Sequence, residues 1–585
     1  MELTKRYRKS FWRWALVGIL VLIALILCSC VSSGGGQSGG DGQDEASPIG
    51  FSVGESVEIA SQTISTSGGT ISINKTDDPL DGLTVEIPEG AYESPVTFTI
   101  SESPISKVKA KDGAGVLSPL ISIENGREYS NELIKVKMPL MVPDDCFAMA
   151  FFYDSETGEY EGLPTFPEDD NSLTFATTHF SDVAFFYIPI SVLDGFNWKT
   201  GFEPGSDDWN LMNRGSYLTP DGYCRGMTLT SLYYYLYQKP TTNDKLWKDD
   251  NENGLGPENK TPDFWRDDKW AIQLCSVANA FKMTEEGFSR TQDYVSWIER
   301  EMDRSITFAE QEFYSIAFAL WLDREPQLVS VRAGTKGHSL VCYGISNNSL
   351  FIADPNYPGN QDRKIVYDVS SRQFALYNSA ESVADLEAGK GINFDVILYS
   401  GATCFYNLST IGSLWTLYQS HAFHDYFPNY GILVTEYDVD GNEGSSYELH
   451  PTGGLTTNAK WLKFAIYAPF EARASVYRFE DRANALSPDR VELSLGDNLL
   501  GIYVEGENEG LWGWAGFDWV NITRIYEEEL PPQIDQGPCS MESLRSACRR
   551  GVFSTVCPDG TCWRCDENNE PVQIECPDTS TYGNN

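Results

Sequence analysis

Apolar and polar residues alternate along the first long stretch of the chain, residues 50–190. Residues 83–87 and 96–100 alternate and are followed by turn-forming residues, and residues 151–160 carry the pattern of a hairpin. Alternation with a period of two is typical of strands that bury one face. Regularly spaced strands of this kind predict a β-sandwich domain over residues 50–190.

The same alternation returns in residues 401–527. It predicts one pair of strands at residues 431–438 and 445–449, and a second pair at residues 491–498 and 500–504. Each pair is separated by residues that favour turns. We interpret this stretch as a second β-sandwich domain.

Residues 195–400 change from alternation to the spacing of helices. Helix candidates lie at residues 227–238, 263–281, 284–302 and 308–322, and strand candidates at residues 327–332, 339–343 and 350–353. Asn347 and Asn348 suit a tight turn between the last two strands. Helices first and an antiparallel sheet second predict an α+β domain between the two sandwiches.

Three residues of this α+β domain are suited to nucleophilic catalysis. Cys224 stands immediately before a predicted helix, His338 leads a strand, and Asp354 ends the next strand. A thiol is only partly ionised at neutral pH, so it needs a histidine to take its proton and a third polar group to fix the imidazole. We therefore predict a catalytic triad of Cys224, His338 and Asp354, with Asn356 as a second candidate for the third position.

The segments around these residues resemble papain-fold cysteine peptidases, particularly bacterial C39-like ones. The resemblance rests on Gly-x-Cys-x-Gly-Met at 222–227, Gly-His-Ser-Leu-Val-x-Tyr-Gly at 337–344 and Asp-Pro-Asn-x-Pro-Gly at 354–359. It implies a papain-like fold and thiol-dependent hydrolysis of peptide or isopeptide bonds. In that fold Cys224 would begin a helix, where exposed amides and the helix dipole lower the pKa of a thiol.

One position departs from the family pattern. Family members commonly carry a glutamine or a similar donor shortly before the cysteine, to hold the oxyanion, and here that residue is Leu218. The backbone amide of Cys224 is one expected donor, and Asn213 is a more distant second. Since the loss of one donor costs about 10²–10³ in rate, an inactive binding or adhesion domain on the same fold stays as the alternative.

Short motifs in the first β domain resemble the ZU5-like domains of extracellular bacterial proteins. They are Ile-Pro-Glu-Gly-Ala at 87–91 and Thr-His-Phe-Ser at 178–181. Some relatives cut their own chain inside the second motif, which here implies cleavage between Phe180 and Ser181 with His179 as the proton carrier. The interpretation we favour is a final strand with a half-buried histidine, because self-cleavage requires a strained backbone.

The N-terminus has the pattern of an export signal. Basic residues precede an apolar run at residues 14–28, which is short for a membrane span of about 20 residues. Residues 27–30 resemble a bacterial lipobox, which implies a signal peptide over residues 1–30 that ends at a lipidated Cys30. Residues 31–49 then form a flexible Gly/Ser tether. We expect an exported protein, lipid-anchored to the outer face of a bacterial membrane.

Charge and composition exclude some partners. The chain has 43 basic and 84 acidic residues, for a net charge of −41, so its surface repels nucleic-acid phosphates. Residues 249–260 begin like a calcium loop but end in lysine, and His421 and His424 lack a third ligand. We predict no metal and no cofactor, and the expected partners are a peptide or protein substrate and a membrane.

Cysteines are concentrated in the last residues, 528–585. Six of them lie there, and they predict a small unit held by three disulfides, with a zinc site of four thiolates as the alternative. Five cysteines remain in the folded region: Cys146, Cys224, Cys275, Cys342 and Cys404. An odd number leaves at least one free thiol when all pairing is internal.

Overall fold

Strands make up most of the regular structure in the computed structural model of the chain, and they belong to several separate sheets. The structure describes residues 47–525 and, beyond them, the short stretches 554–556, 562–565 and 570–574. Within the first range it leaves out residues 127–128, 170, 243, 249–267, 281–289, 291–292, 299, 301–305, 424–425, 428, 439, 450–453, 480 and 509. The prediction of a β-rich chain with several sheets is confirmed.

The first part of the chain folds into two large sheets. Its strands are β1 (Ile49–Val53), β2 (Val57–Ile64), β3 (Gly69–Ser72), β4 (Thr84–Ile87), β5 (Val96–Ser103), β6 (Ile105–Ala110), β7 (Gly115–Val116), β8 (Leu120–Glu124), β9 (Ile134–Pro139), β10 (Cys146–Tyr153), β11 (Tyr160–Gly162), β12 (Thr165–Asp169), β13 (Ser172–Thr177) and β14 (Asp182–Pro189). One sheet has the order β11-β10-β14-β8-β5-β2, with β7 beside β14, and the other has the order β12-β13-β9-β4-β3. Strands β1 and β6 pair separately.

The two large sheets share one hydrophobic core. Phe98 and Phe185 of the first sheet and Val136 and Phe175 of the second are fully buried in it. Strand β10 is buried on both faces, so Ala150 points to this core and the neighbouring Phe151 to a different one. The predicted alternation is therefore correct for these sheets, although the outer face of β10 is also covered.

The middle of the chain contributes a second seven-stranded sheet. Its strands and their neighbours are β15 (Trp198–Lys199), β16 (Gln327–Ala333), β17 (Lys336–Ser346), β18 (Ser349–Ala353), β19 (Lys364–Asp368), β20 (Gln373–Phe374), β21 (Tyr377–Ser379), β22 (Ile392–Phe394) and β23 (Val396–Tyr399). The order is β20-β19-β18-β17-β16-β23, with β15 beside β17, while β21 and β22 pair separately. Asn347 and Asn348 both have positive φ angles, 48° and 57°, as their predicted turn between β17 and β18 requires.

Helices cover this sheet and connect it to the rest. They are Ile190–Asp194, Cys224–Tyr233, Lys239–Thr242, Asp268–Ala280, Phe308–Leu322, Val383–Glu387 and Leu408–Gln419, with a π-helical turn at Tyr234–Gln238 and a 3₁₀ turn at Leu246–Lys248. The helix predicted at residues 308–322 has those bounds, and the one predicted at 263–281 is described as Asp268–Ala280. The candidate at 284–302 lies mostly outside the described residues.

The helix Phe308–Leu322 lies between two sheets. Its N-terminus carries a capping box, in which the Thr307 side chain accepts from the amide of Glu310 and the Glu310 side chain accepts from the amide of Thr307. Nearly every later residue is buried, because Phe318 packs on Phe147 and Phe151 of β10 while the opposite side faces β16 and β23. A helix that is apolar all round is stable only when it is covered all round.

The last large region contains two further sheets. Its strands are β24 (Gly431–Tyr437), β25 (Glu443–Leu449), β26 (Gly454–Thr457), β27 (Trp461–Tyr467), β28 (Ala472–Arg478), β29 (Asp481–Leu486), β30 (Val491–Glu492), β31 (Gly496–Asn508) and β32 (Leu511–Arg524). One sheet has the order β25-β24-β27-β30 and the other the order β26-β32-β31-β28-β29. Val434 and Phe464 of the first sheet share a core with Ile502 and Val520 of the second.

Two predictions for this region are wrong. Residues 491–498 and 500–504 do not pair with each other, because β31 runs unbroken from Gly496 to Asn508 between β28 and β32. The region predicted as wholly β also begins with the helix Leu408–Gln419. That helix packs Trp415 against Trp209 and belongs with the helical layer of the preceding region.

Several sequence predictions fall outside the described residues. They concern the signal peptide at residues 1–30, lipidation at Cys30, residues 31–46 of the predicted tether, the loop at 249–260, and most of the cysteine-rich end, whose described strands are β33 (Ser554–Val556), β34 (Cys562–Cys565) and β35 (Pro571–Ile574). The last part of the predicted tether is described, and there the prediction is wrong, because Pro48 and Ile49 are buried and Ile49 begins β1. Among the helices of the described residues, none has the length and apolar character needed to cross a bilayer.

Candidate active site

Cys224 is the first residue of the helix Cys224–Tyr233, as predicted. The chain reaches it through Gly222, whose φ of +124° and whose closeness to Asn213 and to the carbonyl of Glu381 leave no room for a side chain. The amide of the preceding Tyr223 donates to Asn213 Oδ1 at 2.6 Å. Glycine and a buried asparagine therefore fix the backbone on which the thiol stands.

The backbone amides at the start of this helix differ in their hydrogen-bond partners. A helix leaves its first N–H groups without partners inside the helix. The amide of Tyr223 is taken by Asn213, and the amide of Gly226 donates to Asn279 Oδ1 at 3.2 Å. Within the described part of the chain, no hydrogen bond from the amide of Cys224 is found.

His338 and Asp354 meet across the β17–β18 hairpin. His338 Nε2 lies 2.7 Å from Asp354 Oδ1, and both side chains are fully buried. His338 belongs to β17, and Asp354 follows the last residue of β18. The predicted spacing between the two residues thus brings imidazole and carboxylate into direct contact.

Asp354 is held by more donors than the sequence indicated. Its Oδ1 also accepts from the amide of Asn356 at 2.9 Å. Its Oδ2 accepts from the hydroxyl of Tyr377 at 2.7 Å, from Ser379 Oγ at 3.0 Å and from Arg363 Nη2 at 3.4 Å. Since a carboxylate with many donors stays ionised and immobile, Asp354 is well placed to orient the ring of His338.

Cys224, His338 and Asp354 shift one another's pKa values toward the charged forms. Burial opposes the charged form of each, but the nearby charge of His338 outweighs burial at Cys224, so the pKa of the thiol is lowered from its usual value. At His338, Asp354 and Cys224 outweigh burial and raise the pKa of the imidazole. The pKa of Asp354 is lowered, again because His338 outweighs burial. This combination favours a thiolate beside an imidazolium.

Other thiols of the folded region are shifted in the opposite direction. The described cysteines Cys146, Cys224, Cys275, Cys342 and Cys404 form no disulfide bonds. Burial raises the pKa of Cys146, raises that of Cys342 to about 12, and raises that of Cys404 well above its usual value. Cys224 is the exception because a cationic ring faces it.

Cys224 and His338 open into one cleft of about 220 Å³. Its other walls come from Asp221, Gly222, Arg225, Asn279, Ser330, Val331, Arg332, Thr335, Gly337, Ser339 and Glu381. The wall thus carries side chains of both charges together with polar groups, as a site for a polar chain would.

Three further residues were considered from the sequence as a triad member or an oxyanion donor, and the structure gives them other contacts. Asn356 is not the partner of His338, because its amide group donates to Ser379 Oγ and to the carbonyl of Ala380. Asn213 donates both Nδ2 protons elsewhere, to Asn356 Oδ1 at 2.9 Å and to the carbonyl of Glu381 at 2.7 Å. Leu218 packs against the hydrophobic core. Neither Asn213 nor Leu218 is therefore a donor for an oxyanion.

The second candidate site, at His179 and Ser181, is not assembled in this way. Ser181 is exposed, and none of the residues with positive φ lies at 179–182. His179 Nε2 contacts the hydroxyl of Thr403 at 3.2 Å, and its ring stacks on Tyr129. None of these residues therefore has the strained backbone that self-cleavage requires. His179 is half-buried, as the interpretation we favoured predicts, but its placement in a final strand is wrong, because it lies in the connection between β13 and β14.

Sequence alone did not identify Tyr377, Ser379, Arg363 or Asn279. They lie outside the three segments that carry the predicted triad, and no local pattern marks them. Among the described residues, no group of three or more His, Cys, Asp or Glu side chains is arranged to hold a metal ion, and His421 stacks on Trp270.

No protein-family model matches the chain, and no curated protein matches it at a significant level.

Proposed function

We propose that the protein is a thiol-dependent hydrolase of peptide or isopeptide bonds, with a papain-like arrangement of Cys224, His338 and Asp354. One observation carries the proposal. A buried imidazole contacts a carboxylate at 2.7 Å and, in the same cleft, lowers the pKa of a thiol that begins a helix. Perturbed pKa values of this kind, in a cleft, are typical of catalytic groups.

The chemistry follows from these positions. The Cys224 thiolate attacks the substrate carbonyl carbon, an S–C bond forms, and an electron pair moves onto the carbonyl oxygen. When the intermediate collapses, the C–N bond breaks and the imidazolium of His338 gives a proton to the leaving amine. Water then attacks the thioester and gives a proton back to His338, and the C–S bond breaks to release the acid and the thiolate.

The proposed setting is the outer face of a bacterial membrane. A lipid on Cys30 and a tether at residues 31–46 would anchor the folded part, and the ZU5-like first domain and the last β domain would position the cleft. The support is the sequence pattern of residues 1–49 and the net charge of −41, which keeps such a protein soluble and away from nucleic acids.

Iodoacetamide labelling of the full chain tests the proposal, with Cys146 as an internal control. Cys146 is half-buried like Cys224, but the pKa of its thiol is raised rather than lowered. At about pH 6 we expect rapid alkylation of Cys224 and almost none of Cys146, followed by mass spectrometry of the peptides. Cys224→Ala should also abolish the release of p-nitrophenol from p-nitrophenyl acetate, whereas Cys146→Ala should not.

The opposite result would favour the alternative function. If Cys224 and Cys146 react at similar rates and only at alkaline pH, the cleft holds no activated thiol. The protein is then an inactive surface binding or adhesion lipoprotein on the same fold.

A further inference from the structure

The cleft lacks the oxyanion donor that the sequence pattern of its proposed family would supply. Leu218 packs against the hydrophobic core, and both Nδ2 protons of Asn213 are already donated. Hydrolysis through Cys224 nevertheless creates a negative oxygen next to the thiol, and donors aimed at it are usually the largest single source of catalysis. The following inference rests on the proposed function.

We propose that Asn279 supplies the missing donor through its side-chain Nδ2. Asn279 lies in the last turn of the helix Asp268–Ala280 and forms part of the cleft wall together with Cys224 and His338. Its Oδ1 accepts from the amide of Gly226, in the first turn of the Cys224 helix, at 3.2 Å. That bond decides which end of the amide group is oxygen, so the NH₂ end is the one left for the cleft.

The NH₂ group of Asn279 is available for a ligand. No hydrogen bond from Asn279 Nδ2 occurs among the described residues, and the side chain is only half-buried. A half-buried donor that faces a cleft can change its water partner for a substrate oxygen at little cost. Asn213 differs in this respect, because it is fully buried and its protons are occupied.

Gly226 allows Asn279, from the helix Asp268–Ala280, to lie next to the Cys224 helix. A Cβ atom at position 226 would lie 1.8 Å from the carbonyl oxygen of Cys275 and 3.0 Å from the amide nitrogen of Asn279. Only glycine therefore allows the two helices to approach so closely. The approach sets the Asn279 side chain beside the first turn of the Cys224 helix.

Two donors would then serve the oxyanion from different elements. The amide of Cys224 is unpaired within the described residues and comes from the main chain, and Asn279 Nδ2 comes from the neighbouring helix. As the S–C bond forms and the carbonyl electrons move to oxygen, both N–H groups stabilise the charge. Alkylation by iodoacetamide forms no such oxygen anion, because the thiolate displaces iodide from a saturated carbon.

This difference between the two reactions provides the test. In Asn279→Ala we expect the acylation of Cys224 by p-nitrophenyl acetate to slow about 10²–10³-fold, while alkylation by iodoacetamide stays near the wild-type rate. Asn279→Asp keeps an acceptor for the amide of Gly226 but removes the donor, and its acylation should slow as well. Gln273→Ala, on the same helix and outside the cleft wall, is the control and should change neither reaction.

Each other outcome overturns the inference in a recognisable way. If Asn279→Ala acylates at the wild-type rate, Asn279 is not the donor although the activated thiol stands. If acylation and alkylation slow equally, Asn279 acts only by holding the Cys224 helix. If wild-type Cys224 reacts with neither reagent near neutral pH, the proposed function itself is wrong, and the role of Asn279 fails with it.

Discussion

His338 is buried and His179 is half-buried, yet their surroundings favour different charge states, cationic for His338 and neutral for His179. The pKa of His338 is raised, because Asp354 at 2.7 Å and Cys224 outweigh the cost of burial. The pKa of His179 is lowered to about 4 by burial, and its nearest polar partner is the neutral hydroxyl of Thr403. Burial alone makes a histidine neutral, and only a charged partner reverses this.

The same contrast separates the two catalytic candidates that the sequence offered. The Cys224 cleft gathers groups from four distant segments, and its acid, base and nucleophile strengthen one another. At residues 178–181, by contrast, an exposed serine lies near a neutral imidazole ring. Residue types at the correct spacing indicate a site, but the partners that tune those residues decide whether the site can act.

The largest expected difference concerns thiol reactivity. His338→Gln, which keeps a donor for Asp354, should return the Cys224 thiol toward its ordinary pKa and slow its alkylation at pH 6 by about 10²-fold. His179→Gln should leave the rate unchanged. Rates are measured with iodoacetamide on protein whose circular dichroism matches the wild type, and equal slowing by both variants would contradict the comparison.

A second pair of variants separates stability from reactivity. Thr403 donates from its amide and its hydroxyl to Glu161, a buried carboxylate, and its hydroxyl also contacts His179. Thr403→Val should lower the free energy of unfolding by about 1–3 kcal/mol, because part of this buried network loses its partner. It should not change the alkylation rate of Cys224.

Tyr377→Phe is the matched change at the other site, because it removes one hydroxyl donor from Asp354. We expect it to slow the alkylation of Cys224 as well as to reduce stability, with both measured on the same samples. Loss of reactivity in Thr403→Val, or unchanged reactivity in Tyr377→Phe, would mean that the two regions do not differ as described.

The smallest expected effect is the pH dependence of stability. The folded pKa of His179, about 4, lies below its ordinary 6.5, so its contribution to stability is present above pH 6.5 and is lost as the pH falls toward 4. Because the residue is partly exposed, we expect a contribution of about 1–2 kcal/mol. His338 has the opposite sign, since its raised pKa stabilises the fold below pH 6.5 and that contribution is lost as the pH rises.

Urea unfolding of His179→Phe checks this expectation. Phenylalanine can keep the stack on Tyr129 but cannot take a proton, so the variant should lose less stability than the wild type between pH 7 and pH 4.5. An identical loss in both proteins would contradict this expectation, because it would mean that the pKa of His179 is the same in the folded and unfolded states.

Local patterns predicted the parts of the fold that depend on neighbouring residues. The helix Phe308–Leu322, the Asn347–Asn348 turn and the start of the Cys224 helix all follow from short-range spacing, caps and turn chemistry. The contact between His338 and Asp354 was also predictable, because a tight hairpin joins their strands.

Other features depend on contacts that no short pattern records. The helix Leu408–Gln419 does carry apolar residues at helical spacing, with Ile411, Leu414 and Trp415 buried, but the strands around it led to a β assignment. The donors to Asp354 and the position of Asn279 arise only when separate segments pack together. Such residues are identified by distance in space and not by order in the chain.

The covered helix Phe308–Leu322 has a practical consequence for anyone preparing the protein. A shortened chain that begins near residue 195 would remove β10 and β14 and uncover Phe318 and Trp321, which contact that part of the chain. Exposure of aromatic side chains that are normally buried favours aggregation. A purified fragment that contains the cleft therefore has to include the preceding sheets, although these sheets contribute no atom to the chemistry.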